Sequence, residues 1–135
     1  MPFVLDNSVV SGWYLENQAS QYTEDIAKRL ESDRAIVPVL WELEFANVLR
    51  TACVRRRMSA QSAQAVAARI ASLPIEIDRQ PVPPAELLAL ALRFDLSSYD
   101  ASYLALALRR QLPVATCDED LRSAALASGV GIVEN

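Results

Sequence analysis

Short apolar runs alternate along the chain with segments whose apolar residues recur at helical spacing. Phe3, Val4 and Leu5 form a run typical of a buried strand, whereas Tyr22 and Ile26 belong to a stripe typical of a helix. Pro and Gly residues separate many of these segments. The pattern predicts strands at 3–5, 35–37, 75–77, 113–116 and 132–133, and helices around 9–14 and at 21–30, 40–54, 60–73, 85–94, 99–110 and 119–127.

Strands that alternate with helices imply crossover connections and a parallel sheet covered by helices on both faces. We therefore predict an α/β fold with three layers, α/β/α, around a central parallel sheet of four to five short strands. The chain has 135 residues, 52% of them hydrophobic, which is enough for one hydrophobic core. No linker, repeat or low-complexity stretch divides it, so residues 1–135 are predicted to form a single domain.

The composition excludes several classes of function. The sequence contains no His, so neither a Ser-His-Asp nor a Cys-His catalytic pair exists, and no His-rich zinc site. The three glycines, Gly12, Gly129 and Gly131, are too few and too scattered for a Walker loop or a G-x-G-x-x-G fingerprint. The net charge of −4 argues against a broad phosphate-binding surface. Catalysis, if present, is expected to use carboxylates and a metal.

The sequence also indicates where in the cell the protein is expected to be. No apolar run approaches the roughly 18 residues that a membrane-spanning helix needs. The first six residues lack the basic segment and the long apolar stretch of a secretion signal, so we expect a cytoplasmic protein. Cys53 and Cys117 are far apart and lack metal-ligand spacing, which predicts two buried thiols.

Two acidic residues follow predicted strands. Asp6 comes directly after the first strand, and Asp118 follows the strand at 113–116. Ligands of open parallel sheets bind outside the carboxyl ends of the strands, so both side chains are expected at one edge of the sheet. An N-cap role is the alternative for each of them, because Asp is favoured immediately before a helix.

A third acid lies on the predicted helix at 40–54. At about 100° per residue, Glu44, Asn47 and Thr51 fall on one narrow polar strip. The rest of this helix is apolar nearly all round, which predicts that it is buried, and a buried carboxylate is costly unless it is paired or binds a metal. Glu42 is two residues away and points elsewhere, as a favourable charge in the first turn.

Asp100 and Asp120 are further candidates. Asp100 shares a helix face with the apolar Tyr103 and Leu104, which favours an interior position. The alternative is a capping box with Ser97, in which the carboxylate only bonds to the helix backbone. Asp120 follows Asp118 in the first turn of the last helix and is a secondary candidate.

Together the acids form the donor set of a hard cation. Carboxylates bind Mg²⁺ or Mn²⁺ and leave positions open for water and for phosphate oxygens. Such an ion activates water for in-line displacement at phosphorus without His. The candidate ligands are Asp6, Glu44, Asp100 and Asp118.

Four stretches, in order along the chain, resemble the motifs of the PIN-domain family, and specifically of VapC-type toxins from toxin–antitoxin pairs. They are FVLDNS at 3–8, PVLWELEFANVL at 38–49, LSSYDASYLALA at 96–107 and TCDEDL at 116–121. The resemblance implies a ribonuclease that depends on Mg²⁺ or Mn²⁺. It implies metal ligands at the four candidate acids, with Ser8, Asn47 and Thr116 in support.

The resemblance also implies partners. We expect a homodimer, because the helix at 99–110 is too rich in Ala and Leu to be half solvated. We also expect a small antitoxin with a basic, amphipathic tail, since Arg pairs well with clustered carboxylates. Its apolar face would pack in a groove beside the helix at 40–54.

Two alternatives stay open. The acidic pocket could belong to a non-catalytic PIN-like binding module that only receives a basic partner peptide. Arg55, Arg56 and Arg57 could bind the RNA backbone, or could simply be favourable positive charge at the end of a helix, as could the pair Arg109 and Arg110.

Overall fold

The computed structural model describes residues 1–134 as an α/β fold. Four strands form one parallel sheet in the order β3-β2-β1-β4, with helices packed around it, which confirms the predicted fold class. A short 3₁₀ helix covers Glu16–Gln18. The remaining elements are β1 (Phe3–Leu5), α1 (Asn7–Ser11), α2 (Gln21–Arg29), β2 (Ala35–Pro38), α3 (Leu40–Val54), α4 (Ala60–Ala71), β3 (Ile75–Asp78), α5 (Pro84–Phe94), α6 (Ser98–Arg110), β4 (Val114–Ala115) and α7 (Glu119–Ser128).

β1 lies between β2 and β4, and its three residues are completely buried. Val4 is paired with Ile36 on one side and with Val114 on the other. Because all these strands are parallel, their carboxyl ends meet at one edge of the sheet. Asp6, immediately after β1, donates its backbone N–H to the carbonyl oxygen of Ala115 at 3.0 Å, which brings the ends of β1 and β4 together.

α6 is the helix that fills the core. It packs against β1, β2, α5 and α7, and its three Ala residues are buried inside the chain together with Leu104 and Leu106. Tyr103 and Leu104 are fully inaccessible to solvent. The sequence argument that this helix needs a second subunit to bury its apolar surface is therefore wrong, since the fold of one chain already buries it.

α3 is less buried than its sequence predicts. Its buried residues are Trp41, Phe45, Leu49 and Ala52, whereas Leu43 is 70% exposed. The helix packs mainly against α1, α4 and β2, and Val54 at its end is also exposed, so part of its apolar surface stays open to solvent.

The predicted strand at 132–133 is absent from the sheet. Ile132 makes a single parallel bridge with Val114, and the Val133 N–H donates to the Val114 carbonyl at 2.9 Å. Gly129 and Gly131 both have positive φ values, +89° and +79°, so the backbone turns just before Ile132 and does not extend into a strand.

Within residues 1–134, no helix has the length and the apolar character to cross a bilayer. Cys53 is partly buried and Cys117 is exposed, so the prediction of two buried thiols is wrong. Cys117 lies in the loop between β4 and α7, where the chain leaves the sheet.

Candidate active site

Asp6 lies at the centre of a hydrogen-bonded group at the sheet edge. The residue is 7% exposed, and its Oδ2 accepts bonds from the hydroxyls of Ser8 and Thr116, both at 2.7 Å. Asp6 occupies the N-cap position of α1 but makes no side-chain cap bond, so the capping alternative fails for this residue. Burial raises the pKa of Asp6, and the two hydroxyls oppose that rise.

Ser8 and Thr116 also hold the loop that carries Asp118. The Ser8 hydroxyl accepts the Cys117 N–H at 3.0 Å, and the Thr116 hydroxyl accepts the Asp118 N–H at 3.0 Å. Each hydroxyl therefore links Asp6 to this loop. The arrangement gives Ser8 and Thr116 a clear positioning role between the two acids.

Asp118 combines a structural contact with a position in the site. Its Oδ2 accepts the Leu121 N–H at 2.9 Å and caps α7, as the capping alternative predicts. The cap uses one of the two carboxylate oxygens. Asp118 also raises the pKa of Asp6 and of Asp100 through its charge, so it lies close to both side chains.

Glu44 reaches the same place from α3. Its side chain is half-buried, not fully buried as the sequence predicts, because the neighbouring face of α3 is open. Burial raises the pKa of Glu44, a hydrogen bond from Tyr103 lowers it, and the charge of Asp6 raises it. Glu42 lies elsewhere, as predicted, and pairs with Arg79 at 3.2 Å.

The sequence analysis missed Tyr103 as a polar contact of the site. Its ring is in the core of α6, and its hydroxyl donates a hydrogen bond to Glu44 Oε1. The helical stripe shared with Asp100 gave a signal that Tyr103 is interior. No sequence pattern connects it to Glu44, which is 59 positions away.

The charges of all the other candidate acids raise the pKa of Asp100. Burial together with the charges of Asp118, Asp6, Glu44 and Asp120, in decreasing order, raises the pKa of Asp100 to about 6. The Ser97 hydroxyl accepts the Asp100 N–H at 3.1 Å, which is one half of a capping box. Within residues 1–134 the Asp100 carboxylate makes no return bond to Ser97, so it stays available in the site.

The donor set suits a hard divalent cation, although it does not form a closed cage. Over residues 1–134, no three Asp, Glu, Cys or His side chains come together at the spacing of a complete metal site. Mg²⁺ usually keeps several water ligands and binds through one or two carboxylates, so a closed protein cage is not required. A cation here would also relieve the repulsion that favours protonated Asp100. The residues present thus fit Mg²⁺ or Mn²⁺ in their chemistry.

Two of the secondary candidates are peripheral. Asn47 is exposed and lines a groove with Thr51, Arg55 and Arg57 that none of the four candidate acids lines. Asp120 is exposed in the first turn of α7 and acts on Asp100 through its charge.

The two arginine groups differ. Arg55, Arg56 and Arg57 follow α3 and are exposed. Arg109 and Arg110 instead form ion pairs with Asp78, at 2.6 Å and 2.9 Å, and Arg110 also pairs with Glu76 at 2.9 Å. The second group therefore joins the end of α6 to β3.

Comparison with known proteins gives the class of the chain. The sequence profile described as PIN domain matches residues 3–126. The chain belongs to the PIN domain family. Ribonuclease VapC12 of Mycobacterium tuberculosis is 31% identical to it over 93 residues, which are 69% of this chain and 70% of that protein. This likeness identifies the chain as a VapC-type member of the family.

A solved structure agrees with the fold. The crystal structure of PAE2754 from Pyrobaculum aerophilum matches with a TM-score of 0.68 at 21% identity. The match covers 92% of this chain and 79% of that chain.

Proposed function

We propose that this protein is an endoribonuclease that hydrolyses RNA phosphodiesters with Mg²⁺ or Mn²⁺ and acts as the toxin of a type II toxin–antitoxin pair. The observation that carries the proposal is that acids from four separate segments converge. Asp100 shows the effect most strongly, because burial and the charges of the other acids raise its pKa to about 6. The likeness to a protein named a ribonuclease supports RNA as the substrate.

In this proposal Asp6, Glu44, Asp100 and Asp118 would hold the ion. When bound, the ion supplies activation of water for in-line attack on phosphorus and neutralises negative charge on the phosphate. The chain's own contribution is geometric. Ser8 and Thr116 fix Asp6 against the loop of Asp118, and Tyr103 fixes Glu44.

The first test removes charge without changing shape. Asp6→Asn and Asp118→Asn are expected to abolish RNA cleavage, because each loses one anionic ligand. Asn also caps helices well, so Asp118→Asn should keep the cap on α7 and the fold. Cleavage of labelled RNA with Mn²⁺, with and without EDTA, measures the effect, and circular dichroism checks the fold.

Glu42→Gln is the matched control. It removes one carboxylate from the same helix as Glu44, but that carboxylate is paired with Arg79 outside the acidic site. Cleavage should therefore stay near the wild-type rate. Glu44→Gln should be inactive. Full wild-type activity in excess EDTA, or undiminished cleavage by both Asn variants, would contradict the proposal.

A non-catalytic binding module is the second candidate function. It is favoured by the finding that no three potential ligands within residues 1–134 stand at the spacing of a closed metal site. A binding module would leave RNA intact under every metal condition while still binding an Arg-rich peptide at the acids. The same cleavage assay therefore separates the two functions.

We further propose an antitoxin with a basic, amphipathic tail as partner. Two neighbouring grooves between α3, α4 and β3, of about 400 Å³ and 320 Å³, offer apolar surface to such a helix. Phe45 and Ala67 line both, so the grooves adjoin. Arg side chains of the tail would pair with the carboxylates of the site and compete with the metal.

The remaining elements of the proposal are a homodimer, a single PIN-like nuclease domain over residues 1–135 and action in the cytoplasm, where RNA and the antitoxin would meet it. The proposal of a dimer is supported by the exposed leucines of α5, because the apolar surface of α6 is already buried within one chain.

A further inference from the structure

We infer that the groove at the carboxyl-terminal end of α3 binds the RNA strand next to the cleaved bond, with Arg55 and Arg57 on its phosphates. The inference rests on the proposed function and names how the substrate extends away from the acids. The groove has a volume of about 230 Å³. Its lining residues are Leu15, Gln18, Asn47, Val48, Thr51, Ala52, Arg55 and Arg57.

One face of α3 connects the acids with this groove. Residues at i, i+3, i+7 and i+11 return to nearly the same side of a helix, and Glu44, Asn47, Thr51 and Arg55 have this spacing. These four side chains are all polar, although the apolar Val48 lies beside them. It spans about 16 Å from Glu44 to Arg55 at ~1.5 Å per residue, which is room for a few nucleotides.

Hydrogen bonds fix the backbone that carries Arg55 and Arg57, and within residues 1–134 neither side chain has an acidic partner. Backbone bonds from Arg55 N–H to Thr51 and from Arg57 N–H to Ala52, both 2.9 Å, fold the segment back on the last turn. In the part of the chain that the structure describes, neither forms an ion pair, whereas Arg34, Arg79, Arg109 and Arg110 all do.

The lining chemistry favours a nucleic acid. Guanidinium groups match the geometry of phosphate oxygens, and the side chains of Gln18, Asn47 and Thr51 can bond to sugar or base edges. An RNA strand would place one phosphate at the cation of the acidic site and others on Arg55 and Arg57. An acidic protein segment along the same face would gain only the arginines, so RNA is the better occupant.

The test compares two charge-matched double variants. Arg55→Gln/Arg57→Gln removes the groove arginines. Arg29→Gln/Arg69→Gln removes two exposed arginines from the last turns of α2 and α4, which also form no ion pair within residues 1–134. Both are made in an Asp118→Asn background, in which the RNA should stay intact.

Binding of fluorescein-labelled single-stranded RNA of random sequence is followed by anisotropy over a range of salt concentrations. The groove variant should bind about tenfold or more weakly, as expected for the loss of charge-assisted contacts. For this variant, the slope of log affinity against log salt concentration should become less steep by about 1.4, at ~0.7 for each of the two lost phosphate contacts. The control variant should bind like the background protein.

Equal binding by the groove and control variants would overturn the inference. So would competition by poly-glutamate as strong as that by unlabelled RNA, since the groove would then be a general anion surface. Cleavage by the otherwise wild-type protein is measured separately. RNA cleavage without groove binding defeats only this inference. Groove binding without cleavage defeats the proposed function and leaves only RNA binding by the groove standing.

Discussion

Tyr103 shows how a single hydroxyl can orient the site. The side chain is buried in α6, yet its hydroxyl donates to Glu44 on another helix. A half-buried Glu has several rotamers available, and this bond selects one of them. Tyr103 is thus a positioning residue for Glu44 and has no need to touch the substrate.

Tyr103→Phe keeps the ring and removes only this bond. Burial already raises the pKa of Glu44 and the Tyr103 bond opposes it, so the variant should raise that pKa further. Because Glu44 must be ionised to bind a cation, the acidic limb of the cleavage profile should move to higher pH. Affinity for Mn²⁺, measured by calorimetry, should fall in parallel.

Tyr99→Phe is the control, since Tyr99 is on the same helix but 61% exposed. It should leave the pH profile and the Mn²⁺ affinity unchanged. A Tyr103→Phe protein with the wild-type profile would show that the hydroxyl has no positioning role.

The sequence predicts single residues well where they lie beside a strand end. Asp6 and Asp118 follow β1 and β4, and a parallel sheet brings their positions to one edge whatever the details of packing. The partner of Glu44 depends on how α3 and α6 pack, which no local pattern records. The exposure of Cys117 was missed for the same reason, because it depends on the path of one loop.

At the scale of elements, the sequence predicts where the helices lie more reliably than it predicts which of their surfaces are buried, and by which element or chain. The bounds of α3 agree with the prediction, yet its apolar residues divide into a buried side and an exposed side. Apolar composition alone does not tell whether a surface is covered by the same chain or by another. α6 is covered within the chain, whereas α5 has no fully buried residue.

The exposed leucines of α5 predict self-association. Leu88 and Leu92 are one helical turn apart and 59% and 75% exposed, so they form one apolar strip. Leu88→Lys/Leu92→Lys should convert a dimer into a monomer, because charged side chains would have to be buried. Light scattering at high micromolar concentration measures the mass.

Leu126→Lys is the control for this double variant. Leu126 is 53% exposed on α7, and the variant should still dimerise. A wild-type protein that is monomeric throughout the concentration range would contradict the predicted dimer.

At the scale of the whole molecule, the acidic site is a source of instability that a cation or protons relieve. The unfolded chain separates the carboxylates, whereas folding brings them together. Asp100 shows the effect most clearly, with a pKa raised from 3.8 to about 6 by burial and by the neighbouring acids. The folded state therefore binds this proton more tightly than the unfolded state does.

The sign of the pH dependence follows directly. A carboxyl whose pKa is raised by folding contributes stability that is complete below its ordinary pKa of 3.8 and is lost as the pH rises through about 6. The metal-free protein should thus gain stability when the pH falls from about 7 to about 5. The gain is on the order of 1 kcal/mol once solvent screening of the half-exposed carboxylate is allowed for.

Mg²⁺ or Mn²⁺ should reverse this dependence, because the ion binds the ionised carboxylates and protons compete with it. Thermal unfolding at neutral pH should shift upward with added Mn²⁺, and the shift should shrink below about pH 6. Asp100→Asn should stabilise the metal-free protein at neutral pH and weaken both the pH dependence and the Mn²⁺ shift. Asp95→Asn, the same change at an exposed residue with φ of 54° that Asn tolerates, should do neither. If it behaved like Asp100→Asn, the effect would come from overall charge and not from the acidic site.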